Sequence, residues 1–154
     1  MKRESPTLAA IVLTAGSRDR LAADCARLAE SRMARRGGLS GMAVKAGLAL
    51  LKKARPDILE RATARMLPDM LAALEPLHVE YAADRTARRG GFDAYLTARG
   101  ADATAALLKV SDARAAASVN ITARSLYARL RGSAEQEVRD AMPELAAILA
   151  RYVE

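Results

Sequence analysis

The sequence predicts an all-α fold, a single domain spanning residues 1–154 and built as a compact bundle of roughly seven to nine short and medium helices. Three observations carry that expectation. Alanine, the strongest helix former, supplies 36 of the 154 residues. Residues that favour strands are scarce, with no Trp, one Phe (Phe92) and four Tyr. Proline, glycine and serine stand where helix ends want them, at first turns, C-caps and N-caps.

The elements follow in order from that punctuation. Ser5-Pro6 reads as an N-cap and first-turn proline for a short apolar helix that Gly16 closes. Ser17 then caps a helix through Leu21, Cys25, Leu28 and Arg32 to a stop at Gly37-Gly38. Ser40 opens a third, rich in small and apolar residues and ending near Lys52, Lys53 and Arg55, cations that suit the negative end of the helix dipole. Pro56-Asp57, Pro68-Asp69 and Glu75-Pro76 read as three helix starts, predicting three short helices joined at angles. Gly90-Gly91 marks the clearest break of the second half, and Phe92 to Arg99 is a short helix stopped by Gly100. Ala101 to Arg131 is helical, as one helix or two meeting near Ser118, and Gly132-Ser133 separates it from a last helix. Leu67-Pro68-Asp69-Met70 is echoed by Met142-Pro143-Glu144-Leu145, either a duplicated unit or simply the way helices start.

Lys2 and Arg3 ahead of the apolar run 8–15 faintly resemble a secretion signal, but Glu4 and Pro6 interrupt the pattern and the run is short. No stretch approaches the ~20 apolar residues of a membrane span. The lone Cys25 allows neither an intramolecular disulfide nor a cysteine metal cage, so a cytoplasmic location is expected.

Several of these segments together suggest a family. Gly38-Leu39-Ser40-Gly41 with Lys45-Ala46-Gly47, Arg65-Met66-Leu67-Pro68-Asp69 through Glu75-Pro76, Asp112 to Ser118, and Leu130-Arg131-Gly132 resemble an uncharacterised bacterial all-helical domain family. The resemblance covers most of the chain after about residue 20. It implies a helical bacterial domain and carries over no catalytic residue.

The chemistry inventory is thin. His78 is the only histidine, and its Glu-x-x-His spacing with Glu75 lacks the second such motif that a di-iron bundle requires. Cys25 lies among Leu21, Leu28 and Ala29 at helical spacing, which reads as an inert buried thiol. No catalytic residue, metal or cofactor is therefore expected, although an enzyme using Asp, Arg and Tyr alone stays open.

Charge is the one unevenness with functional content. The chain carries a formal net charge of +7, and between Arg27 and Arg65 ten basic residues face three acidic ones. Arg32, Arg35, Arg36, Ser40, Lys45, Lys52, Lys53 and Arg55 are the candidate anion- or ligand-binding residues. The leading expectation is a non-enzymatic helical module that binds a partner protein or ligand through an apolar, cation-rimmed surface. A carrier of an amphipathic anion such as a fatty acid is the alternative, with Met33, Met42, Met66 and Met70 lining a cavity. Non-specific nucleic-acid binding comes third, because stacking aromatics are nearly absent. A homo-oligomer is a further possibility.

Overall fold

The computed structural model describes residues 6–14, 16–35 and 38–153, the side chains of 38–40 excepted. Eight helices and no strand occur among the described residues: α1 (Leu8–Val12), α2 (Ser17–Ala34), α3 (Gly38–Ala54), α4 (Ile58–Ala83), α5 (Arg85–Gly90), α6 (Phe92–Ala98), α7 (Gly100–Ala117) and α8 (Ile121–Val153). The all-α prediction is met.

Local chemistry accounts for several of the helix starts. The Thr7 side chain accepts from the Ala10 amide at the start of α1, and Asp84 accepts from Thr86 and Ala87 at the start of α5. Asn120 does the same for Ala123 in the first turn of α8, after the break at 118–120. Gly91 separates α5 from α6 at φ 90° and ψ 156°, a conformation open almost only to glycine. The expected Ser5 cap lies outside the described residues. Gly16, at φ 86°, takes the N-cap of α2 in place of Ser17, whose hydroxyl instead accepts from Thr14. Gly38 and Gly100 begin α3 and α7 rather than ending the helices before them.

The main correction concerns the prolines. Pro68 and Pro76 lie inside one continuous 26-residue α4, and Pro143 and Gly132 lie inside a 33-residue α8. The three angled helices and the break at Gly132 are not formed. A proline in a helix removes an amide donor and strands carbonyls one turn earlier. Before Pro68 and Pro143, arginines from other helices satisfy such carbonyls. Around Pro68, Arg18 donates to the Ala64 carbonyl at 3.1 Å and Arg114 to the Arg65 carbonyl at 3.2 Å. Around Pro143, Arg32 donates to the Asp140 carbonyl at 3.0 Å. Arg114 also pairs with Asp69, and Arg32 with Glu144, the acid that directly follows each proline. The echo in the sequence is thus one tertiary device used twice. An arginine brackets the proline, bonding to the carbonyl three residues before it and the carboxylate one residue after.

Helices α2, α4, α7 and α8 form a ring in which each packs on the next, with α1 seated against α4 and α8 and α6 chiefly against α8. Their shared core contains Leu8, Val12, Leu21, Leu71, Leu74, Phe92, Leu96, Met142 and Ala146. The apolar run at the N-terminus is therefore part of this core, and its first amide, on Leu8, is capped by the Glu75 carboxylate of α4 at 2.6 Å. A second, smaller cluster joins Val44, Leu48 and Leu51 of α3 to Leu126 of α8, with Met33, Ile58 and Leu59 at its edge. Helix α3 is held on the outside of the first half of α8 by this cluster.

Candidate functional site

The inward face of α3 is Gly41, Val44, Leu48 and Leu51, recurring at the spacing of one helix face. Gly47 allows a close crossing, because a Cβ there would meet Leu126 Cδ1 at 3.2 Å. An ordinary surface helix would carry polar residues on the opposite face. In α3 that face is Met42, Lys45, Ala46, Ala49, Leu50 and Lys53, all exposed. Met42 keeps 67% and Leu50 62% of its surface in contact with solvent. Asp and Glu are missing from α3 altogether, whereas three of the five lysines of the chain lie in it. The result is a helix apolar on both sides, with Lys45 flanking the outer strip and Lys53 at its C-terminal end.

The candidate residues fall into three groups. Lys45 and Lys53 stand on this outer face, while Arg35 at the end of α2 and Arg55 just beyond α3 are exposed nearby in the chain. None of these four makes an ion pair among the described residues. Arg32 and Lys52 are engaged structurally, Arg32 in the bracket around Pro143 and Lys52 in an ion pair with Glu30 that ties α3 to α2. Arg36 and the Ser40 side chain lie outside the described residues.

Two further features escaped the sequence reading. Arg85, Arg88 and Arg89 line a shallow depression of about 300 Å³ on α5. Their i, i+3, i+4 spacing places all three on one helix face and is legible in the sequence. A second cleft of about 260 Å³ lies between α2 and α8, with Leu28 and Ile148 among Asp24, Arg27, Ser31, Glu144 and Arg151.

The remaining polar groups serve the framework. Glu75 is occupied by the α1 amide, and His78 is buried edge-on to Phe92 with ring centroids 5.5 Å apart. Burial and the neighbouring Asp24 push the Cys25 thiol up to about 11, so it stays protonated near neutrality. Glu80 accepts from Tyr95 and Arg99, which hold its carboxyl below the usual carboxylate range, and Arg99 reaches on to Asp102. Asp112 is held low in the same way by Tyr127 and Arg131, and burial followed by the Asp112 bond pushes Tyr127 up to about 12. No group of three His, Cys, Asp or Glu side chains among the described residues is placed to hold a metal ion, and no helix is long and apolar enough to cross a membrane.

No curated protein and no solved structure shows significant similarity to the chain. The model of one family, described as a family of unknown function (DUF6918), matches residues 8–153, beginning earlier than the quoted segments suggested. With nearly the whole described chain inside that match, the protein belongs to this helical family of unknown function.

Proposed function

We propose that the protein is a non-catalytic interaction module that docks a protein partner on the outer face of α3. The observation behind this reading is the exposed apolar pair Met42 and Leu50, with Lys45 on its flank and Lys53 at its C-terminal end, on a helix whose other face is already packed. Arg35 and Arg55 are exposed cations just outside the two ends of α3 in the chain. Val79, Val119 and Ile121 are exposed elsewhere, but α3 alone combines two large exposed apolar side chains on one face with lysines and no carboxylate, among the described residues. The methionines named for the carrier reading have separate surroundings. Met33 packs in the smaller cluster, Met70 against the main core, and Met42 is exposed.

The reading is tested with a photo-cross-linking amino acid at position 50, and at the exposed position 82 of α4 as control. In the native cell, position 50 is expected to yield one discrete protein adduct that position 82 does not. A failure of positions 42, 46 and 50 alike to give a discrete adduct overturns the proposal. Native mass spectrometry of the purified protein separates the carrier reading, which requires a bound small mass that is lost on denaturation.

A further inference from the structure

We infer that the occupant of the α3 outer face is an amphipathic helix with an acidic rim. The inference rests on the docking role proposed above and adds the chemistry of the partner. The exposed positions run Met42, Ala46, Ala49, Leu50 and Lys53, at i, i+4, i+7, i+8 and i+11, the track along which a second helix lies. Lys45 and Lys53 are eight residues apart, roughly 12 Å along the axis, so carboxylates about two turns apart on a partner helix reach both. Helix α3 is itself 17 residues long and supports a partner over most of that length.

Charge selects among the possible occupants. A second copy of α3 brings lysines to lysines and no carboxylate, so self-pairing on this face is repulsive. A lipid surface favours helices with Trp, Phe or several Leu at the acyl boundary, and this face offers no aromatic and only two large apolar side chains. A helix with a small apolar stripe and acidic margins satisfies both the apolar strip and the lysines, which make no ion pair among the described residues. The opposite side of α3 is anchored by Val44, Leu48 and Leu51, so the docking face is presented on a packed helix and does not have to be ordered by the partner.

The test uses the full chain and two synthetic helical peptides of about 18 residues with the same Leu/Ala stripe. One is rimmed with Glu and the other with Lys, and binding is read by fluorescence anisotropy at low and high salt. The Glu-rimmed peptide is expected to bind. The Lys45→Glu/Lys53→Glu variant is expected to lose about tenfold in affinity for it and to gain the Lys-rimmed peptide instead. Leu50→Asp should abolish binding, whereas Val79→Asp, on the exposed side of α4, leaves it unchanged. Equal binding of both peptides, no reversal on charge swap, or insensitivity to Leu50→Asp overturns the inference. So does lysine-dependent binding to vesicles containing phosphatidylglycerol without binding of the Glu-rimmed peptide. If the peptide fails but position 50 still cross-links a discrete partner, the acidic-helix assignment falls and the docking role stands. If neither occurs, both fall.

Discussion

Glycine has opposite consequences at two positions of this chain. Gly91 sits at φ 90° between α5 and α6, so Gly91→Ala forces a side chain into a region it rarely adopts. A loss of about 1–3 kcal/mol in chemical denaturation is expected. Gly132 lies inside α8, and a Cβ there would meet nothing within 4 Å. Gly132→Ala removes backbone entropy from the unfolded chain without a clash and should stabilise by roughly 0.5–1 kcal/mol in the same experiment. Among the described residues the buried Thr104 hydroxyl has no hydrogen-bond partner, so Thr104→Val is expected to be neutral or stabilising, where most core substitutions destabilise. Equal destabilisation by all three replacements would contradict these local accounts.

At the scale of the element, the unbroken helices depend on their arginine brackets. Arg114→Ala removes both the pair with Asp69 and the donor to the Arg65 carbonyl, whereas Asp69→Ala removes only the pair. The arginine variant is therefore expected to lose roughly 1 kcal/mol more than the aspartate variant, because an unmet carbonyl beside the proline remains. Equal losses would mean that the carbonyl bond contributes nothing. The ties between helices also set the response to pH. The pKa values of Glu80 and Asp112 are lowered in the fold, so their contribution is complete above the ordinary carboxylate range and is lost as pH falls through it. Cys25 and Tyr127 are raised, so theirs is complete below their ordinary values and is lost as pH rises towards about 11 and about 12. Thermal melts should be nearly flat from about pH 5 to 8 and fall on both sides.

For the whole molecule, the division into a large core and a small α3 cluster predicts uneven stability. Leu126 is the α8 side chain on which α3 rests, and Leu126→Ala should cost about 2–4 kcal/mol. Hydrogen exchange is expected to show the α3 amides opening before those of α2, α4, α7 and α8, because α3 is held by the smaller cluster and the exposed Lys52–Glu30 pair and contributes nothing to the main core. Uniform protection through α3 and the ring would show that the two clusters unfold together.

Much of this architecture was legible in the residues themselves. Alanine content, the scarce strand formers and the Gly90-Gly91 break belong to local propensity, which acts over a few residues and needs no partner, whereas the sequence left one helix or two meeting near Ser118 and the structure has two. The apolar character of 42–51 and the excess of cations around it were equally plain. Tertiary structure decided that Pro68 and Pro143 stay inside helices, since the arginines that meet the stranded carbonyls come from other helices, between 46 and 108 residues away in the chain. It likewise decided which cations remain unpaired, drawing Arg32 to Glu144 and Lys52 to Glu30 while leaving Lys45 and Lys53 on the open face. Periodicity assigns a residue to a face of its own helix, but only packing against distant helices determines whether that face is covered.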